Sequence, residues 1–225
     1  MTSMRSPAFI LDLDGTLLDS VYQHVIAWQR AFAEIDVDLA VWRIHKRIGM
    51  SGSLLSQRVA HESSMELTQA QQDKVEDLHS RYYHEALSWV RPLPGARDLL
   101  LALSDADLPW IIASSGEAEQ TEAQVSKLDL PETPPYLSSA DATHAKPHPD
   151  ILLTAAERLG AEPEQCIVVG DAIWDLLAAR RARMIGVGVL CGGYSREELE
   201  RAHAFRVYLD PADMLASLDE LGIAL

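Results

Sequence analysis

The sequence predicts an α/β fold, a doubly wound, Rossmann-like parallel sheet with an all-helical segment inserted after its first strand. Short apolar runs at residues 9–11, 110–113, 166–169 and 185–190 alternate with stretches of helical spacing, the pattern of parallel strands joined by crossover helices. Residues 20–89 carry helical spacing alone, which reads as an insertion resting over the strand ends. Finally, the runs are followed by acids and small residues: Asp12 and Asp14 after the first, Ser114-Ser115-Gly116 after the second, Gly170-Asp171 after the third. Open α/β sheets bind ligands just beyond the carboxyl ends of their strands.

Each element has its own signal. Side chains alternate along a strand, so Asp12 and Asp14 are expected on one face with Leu13 returned to the core, and Gly15 supplies the backbone angles to turn. Ser20 is placed as the N-cap of a helix whose apolar side is Val21, Val25, Trp28 and Phe32. Residues 41–48 and 54–61 read as short helices around Gly49-Met50-Ser51-Gly52, and Thr68 opens a long helix over 68–87. Residues 91–95, rich in Pro and ending in Gly, break it and start a helix through Leu103. Helices are expected over 117–128, 149–159, 173–183 and 211–221, and weak or edge strands at 136–137 and 206–209. The division that follows is a core of residues 1–19 and 90–225 and a helical cap of residues 20–89.

With 225 residues, 48% of them hydrophobic and 24% charged, the chain can bury a sizeable core and is not of disordered composition. No apolar run is long enough to span a membrane, and residues 1–7 do not look like a secretory or transit signal, so the expected location is cytoplasmic. A formal charge of −15 spread over the chain argues against nucleic acid or anionic lipid as a partner. Cys166 and Cys191 border neighbouring apolar runs and read as reduced thiols. A monomer or homodimer is expected.

Two carboxylates one residue apart at a strand end repel each other unless a cation sits between them. Hard divalent ions such as Mg²⁺ take oxygen ligands and are often shared between carboxylates and substrate phosphate, so Asp12 and Asp14 point to metal-assisted phosphoryl transfer. A carboxylate approaching a phosphate dianion needs positive charge beside it, which Lys146 can supply. Ser114 and the backbone N–H groups of Ser115 and Gly116 can donate to phosphoryl oxygens at a helix N-terminus. Asp175 lies one helical turn beyond Asp171 and can support a metal shell or orient Lys146.

Taken in order, Asp12-Leu13-Asp14-Gly15-Thr16, Ser114, Lys146 and Gly170-Asp171-Ala172-Ile173-Trp174-Asp175 resemble the four motifs of the haloacid dehalogenase superfamily of phosphohydrolases, and they run through the whole chain. The resemblance implies that Asp12 is a nucleophile forming an aspartyl-phosphate and that Asp14 is its general acid and base. It also implies that Mg²⁺ is held by Asp12, the carbonyl of Asp14 and Asp171, with Asp175 behind them. The helical insertion resembles the cap of the subfamily of phosphoglycolate phosphatase and β-phosphoglucomutase, in which the cap closes over small phosphorylated metabolites. His24, near the hinge, and Arg47, Gly49 and Ser51 in the loop between the short helices are the candidate substrate contacts. The mutase pattern has an Arg near the position of Gly52, and its absence here favours hydrolysis of a monoester over a mutase-like phosphotransfer. Asp14 disfavours dehalogenation, which needs no second acid, and the intact acids and Lys146 disfavour a non-catalytic binding protein on the same fold.

Overall fold

The computed structural model describes residues 7–62 and 66–223; the N-terminal residues read above for a targeting signal lie, up to residue 6, outside it. The chain opens with β1 (Ala8–Leu11) and a two-residue strand β2 (Leu18–Asp19), then enters helices α1 (Val21–Ala33), α2 (Val41–His45), α3 (Gly52–Glu62) and α4 (Gln69–Ala86). It returns through β3 (Arg91–Pro92), α5 (Ala96–Asp105), β4 (Trp110–Ala113), α6 (Ala118–Val125) and β5 (Tyr136–Leu137). After α7 (Asp150–Leu159) come β6 (Cys166–Gly170), α8 (Ile173–Ala182), β7 (Ile185–Val189), α9 (Arg196–Arg201), β8 (Arg206–Tyr208) and α10 (Pro211–Ala216).

The six-stranded sheet has the order β5-β4-β1-β6-β7-β8, and every pairing in it is parallel. Its strands are covered on both faces, which is why they read as unbroken apolar runs. Alternation divides β1 between two layers: Phe9 and Leu11 join the cluster of Leu99, Leu100 and Met214, and Ala8 and Ile10 join that of Ile151, Ala155 and Ala178. The first layer belongs to α5 and α10, the second to α7 and α8. From β1 the chain moves to β4 and β5 on one side, then crosses to β6 on the other. The sheet therefore changes direction at β1, and the carboxyl ends of β4, β1 and β6 share one crevice.

Helices α1 to α4 leave and re-enter this core side by side, because β2 and β3 pair antiparallel with Leu18 opposite Pro92 and Asp19 opposite Arg91. Two-residue strands carry no readable period, and this ribbon was not expected. Within the block α1 packs along α4, and α4 begins with a complete capping box between Thr68 and Gln71. Helix α2 stops at His45, three residues short of the expected end, and α9 is an additional helix opened by a Ser195–Glu198 capping box. Both cysteines are free, and no helix of the described residues is long and apolar enough to cross a membrane.

Candidate active site

Strand β1 ends at Leu11, but Asp12 still donates its N–H to the Val169 carbonyl (2.9 Å), which anchors it at the lip of the sheet. The chain then turns at Gly15, whose φ of +80° suits glycine; a Cβ there would fall 2.5 Å from Val21 and 2.7 Å from the Asp171 carboxylate. With the strand over, alternation no longer governs the two acids. Asp12 turns down toward Lys146, and Asp14 turns up toward the helical block.

Lys146 is 1% exposed, and its Nζ donates to Asp12 Oδ1 (2.6 Å) and to the Ala113 carbonyl (3.0 Å) and pairs with Asp175 Oδ1 (2.8 Å). Burial works against its charge, yet the two carboxylates outweigh burial and hold it protonated above the ordinary lysine range. Asp175 also accepts the Ala172 N–H through Oδ2 (3.2 Å), so both of its oxygens are engaged. Asp171 has far less support: among the described residues the Thr16 hydroxyl at 3.3 Å is its one side-chain donor, and Gly192 lies so close that a Cβ would overlap its carboxylate. Burial, then Asp12 and Asp175, push Asp171 well above the carboxylate range. Burial likewise pushes Asp12 up to about 7, with Asp175 adding and Lys146 opposing.

Carboxylate oxygens of Asp12, Asp171 and Asp175 lie within 4.8 Å of one another. Three buried carboxylates face one buried ammonium, and the donor set is all oxygen. This is the charge and chemistry that a hard divalent cation satisfies, so the residues fit Mg²⁺. Because Asp175 is already engaged twice, Asp12 and Asp171 are the pair left to hold it.

Asp14 Oδ1 receives the Ser20 hydroxyl (2.5 Å), His24 Nε2 (3.2 Å) and Gln124 Nε2, and Oδ2 has no hydrogen-bond partner among the described residues. Ser20 occupies the N-cap position of α1, but its hydroxyl goes to this carboxylate and caps nothing. Burial alone would raise Asp14; His24, Ser20 and Gln124 outweigh it and hold the group below the ordinary range. His24 is buried, and its Nδ1 lies 3.0 Å from His79 Nε2. For His24 to donate to Asp14 while neutral, His79 must donate to His24. Tyr83 stacks on His24 (3.8 Å between centroids) and Trp28 on His79 (4.0 Å), so aromatic rings wall the chain of imidazoles.

Burial, then His24, drive His79 well below its ordinary value of 6.5. The unfolded chain therefore takes up a proton below pH 6.5 that the folded chain refuses, and stability falls with pH from there downward. His79→Gln, which keeps a donor toward His24, is expected to flatten that fall by up to about 1.4 kcal/mol per pH unit. Melting curves of both proteins between about pH 7 and 5 check this; parallel curves would remove the assignment.

The second strand end is organised around Ser114, whose Oγ accepts the Gly116 N–H (3.0 Å) and keeps its own proton to donate. Ser115 donates to the Gly49 carbonyl (3.0 Å), tying the core to the loop between α2 and α3. Above these residues lies a cavity of about 170 Å³. It is lined by Asp12, Asp14, Ser115, Gly116 and Glu117 from the core side, and by His24, Trp28, Gly49, Ser51, Glu76 and His79 from the helical block. Of the expected contacts, Arg47 is elsewhere: its guanidinium pairs with Glu62 and the Lys46 carbonyl, lies over Trp174, and does not line the cavity. A carboxylate at the end of α3 offers it a closer partner than the cavity does.

Sequence reasoning placed Thr16 in the first motif without a role and did not single out Gln124, His79, Tyr83, Glu76 or Glu117. The last sits directly after Ser115-Gly116, and Glu76, His79 and Tyr83 recur at helical spacing on α4, a signal that could have drawn attention to them.

A family profile described as haloacid dehalogenase-like hydrolase matches residues 7–183. The chain belongs to that family. Among solved structures it is similar to a hydrolase from Pseudomonas syringae, 44% identical with a TM-score of 0.93, over 96% of this chain and 99% of that one. It is 32% identical to fructose-1-phosphate phosphatase YqaB of Escherichia coli (strain K12), over 82% of this chain and 97% of the relative. It is 29% identical to the β-phosphoglucomutase of Bacillus subtilis (strain 168), over 81% and 82% of the two chains. As a member of this family the chain is a hydrolase.

Proposed function

We propose that this member of the haloacid dehalogenase-like hydrolases is a Mg²⁺-dependent phosphatase of small phosphosugars, acting through an aspartyl-phosphate on Asp12. The observation that carries the reading is the buried cluster of Asp12, Asp171 and Asp175, in which Lys146 pairs with Asp12 and Asp175 and Asp12 lines a cavity of about 170 Å³. The phosphatase and mutase names of the relatives supply the substrate class.

In this reading Asp12 and Asp171 hold the metal, with Asp175 supporting Lys146 behind them. Bound there, Mg²⁺ supplies positive charge that offsets the repulsion between a carboxylate and a phosphate dianion. Asp12 attacks phosphorus, the bond to the ester oxygen breaks, and that oxygen takes a proton from Asp14. Water then attacks the aspartyl-phosphate, giving its proton to Asp14 and releasing inorganic phosphate and free Asp12. Oδ2 of Asp14, the oxygen with no hydrogen-bond partner among the described residues, is the one that moves these protons. The arriving dianion raises Asp14's proton affinity against its three donors. Ser114, Ser115 and Gly116 hold the phosphoryl oxygens, and residues 20–89 act as the cap that excludes water.

A phosphotransfer through a bisphosphorylated sugar would need a cation for the second phosphate. No Lys or Arg lines the cavity among the described residues, which favours water as the acceptor. Phosphate release from a panel of phosphosugars is expected with Mg²⁺ and expected to vanish with EDTA. Undiminished release in EDTA would exclude the metal, and isomerisation of a sugar phosphate without net phosphate release would replace hydrolysis by transfer.

A further inference from the structure

The cavity's charge distribution says more about its substrate than the family does. Beyond Asp12 and Asp14, the acidic side chains that line it are Glu76 on α4 and Glu117 at the start of α6. The nearby cations are committed elsewhere: Lys46 to Glu198 (2.5 Å), Arg47 to Glu62, and Lys146 beneath the floor to Asp12 and Asp175. Glu76 accepts hydrogen bonds from the Gln72 side chain and the Ser56 hydroxyl (3.2 Å), and burial, with Glu117 and Asp73 adding, outweighs these donors and raises its carboxyl above the ordinary range. No ion pair compensates either glutamate among the described residues.

Between the glutamates the polar lining is neutral. The side chains of Ser80 and Gln120 have no hydrogen-bond partner among the described residues, so they are free to meet a ligand's hydroxyls. Trp28 and Leu55 supply an apolar wall suited to carbon-bound hydrogens.

We infer that the cavity selects monophosphates whose distal end is a neutral polyol or carries an amine, and that Glu76 and Glu117 reject any substrate bearing a second anionic group. A carboxylate or second phosphate would approach two carboxylates, the half-buried Glu76 and Glu117 exposed at the rim, with no Lys or Arg of the described residues lining the cavity to receive it. Rejection of this kind needs no steric clash, because the repulsion itself lowers affinity for the wrong ligand. The inference rests on the reading of Asp12 and the strand ends as the phosphate site.

The test uses substrate pairs that differ only in the distal group: glucitol 6-phosphate against 6-phosphogluconate, and 2-hydroxyethyl phosphate against phosphoglycolate. At matched ionic strength with Mg²⁺, the neutral member of each pair is expected to have kcat/KM at least about ten-fold higher. Glucosamine 6-phosphate is expected to match or exceed glucose 6-phosphate. Glu76→Gln and Glu117→Gln, which keep shape and remove charge, are expected to narrow the gap within each pair. Equal or faster turnover of the anionic members by the wild-type protein would overturn the inference. Equilibrium binding of the same pairs to Asp12→Asn with Mg²⁺ reads the pocket without turnover. Preference there for the neutral members supports the charge filter even if phosphate release fails and the phosphatase reading with it, and equal or tighter binding of the anionic members removes the filter whatever the turnover.

Discussion

Replacing Asp12 by Asn is expected to lower phosphate release by on the order of 10⁴-fold or more, because an amide cannot form the acyl-phosphate bond and the two-step path closes. The same change is expected to leave the fold intact, and the reason lies in the surroundings of Asp12. The Asn oxygen can still accept from Lys146, and Asp175 remains as the ammonium's charged partner at 2.8 Å. Without metal, burial already pushes Asp12 up to about 7, so its negative charge is a strain on the folded state. In EDTA the variant is therefore expected to melt at the wild-type temperature or above it. Added Mg²⁺ is expected to raise the wild-type melting temperature more than that of the variant, since one metal-holding carboxylate is gone. Residual turnover within ten-fold of wild type would remove Asp12 as nucleophile.

The second large effect is expected from Lys146→Met, which removes the buried ammonium paired with Asp12 and Asp175. Breaking a buried ion pair from one side typically costs about 3 to 5 kcal/mol, since the remaining charge has lost its compensation. Here the charges left behind are Asp12 and Asp175, each bonded to Nζ at less than 3 Å, with Asp171 close by. Urea unfolding in EDTA is expected to show a loss of about that size, together with loss of phosphate release. Adding Asp175→Asn to Lys146→Met is expected to recover part of the lost stability, because one uncompensated carboxylate disappears. Additive losses in the double variant would mean that the pair is not coupled as its distances imply.

Much of this was readable along the chain, for definite reasons. Strands buried on both faces leave unbroken apolar runs, and the sheet's crevice then collects whatever follows them, which located Asp12, Ser114 and Asp171 together. Long helices with one apolar side, such as α1 and α4, announced themselves by spacing. What stayed hidden depends on meetings between distant segments. The ribbon of β2 and β3 is too short to have a period, and one of its four residues is Pro92. Helix α9 buries only Leu199, so its capping box was the sole trace of it. Ser20 carried a valid N-cap signal and was drawn to Asp14, a charged acceptor that the local sequence cannot weigh against a backbone N–H. His79 reaches His24 from 55 residues away in the chain and Gln124 reaches Asp14 from 110, on helices whose other positions mask them.

The pairing of Leu18 with Pro92 has a bearing on ancestry. The chain leaves the sheet and comes back through a single doorway, so everything between residues 19 and 91 can lengthen, shrink or be exchanged without shifting the register of any parallel strand. The entropy of closing that excursion grows only as the logarithm of its length, so insertions there are lightly penalised. Asp12, Asp14, Lys146, Asp171 and Asp175 all lie outside the excursion, whereas His24, Trp28, Ser51 and Glu76, which line the cavity, lie inside it. Substitutions within the excursion can thus change the lining of the cavity while Asp12, Lys146, Asp171 and Asp175 keep their places in the core.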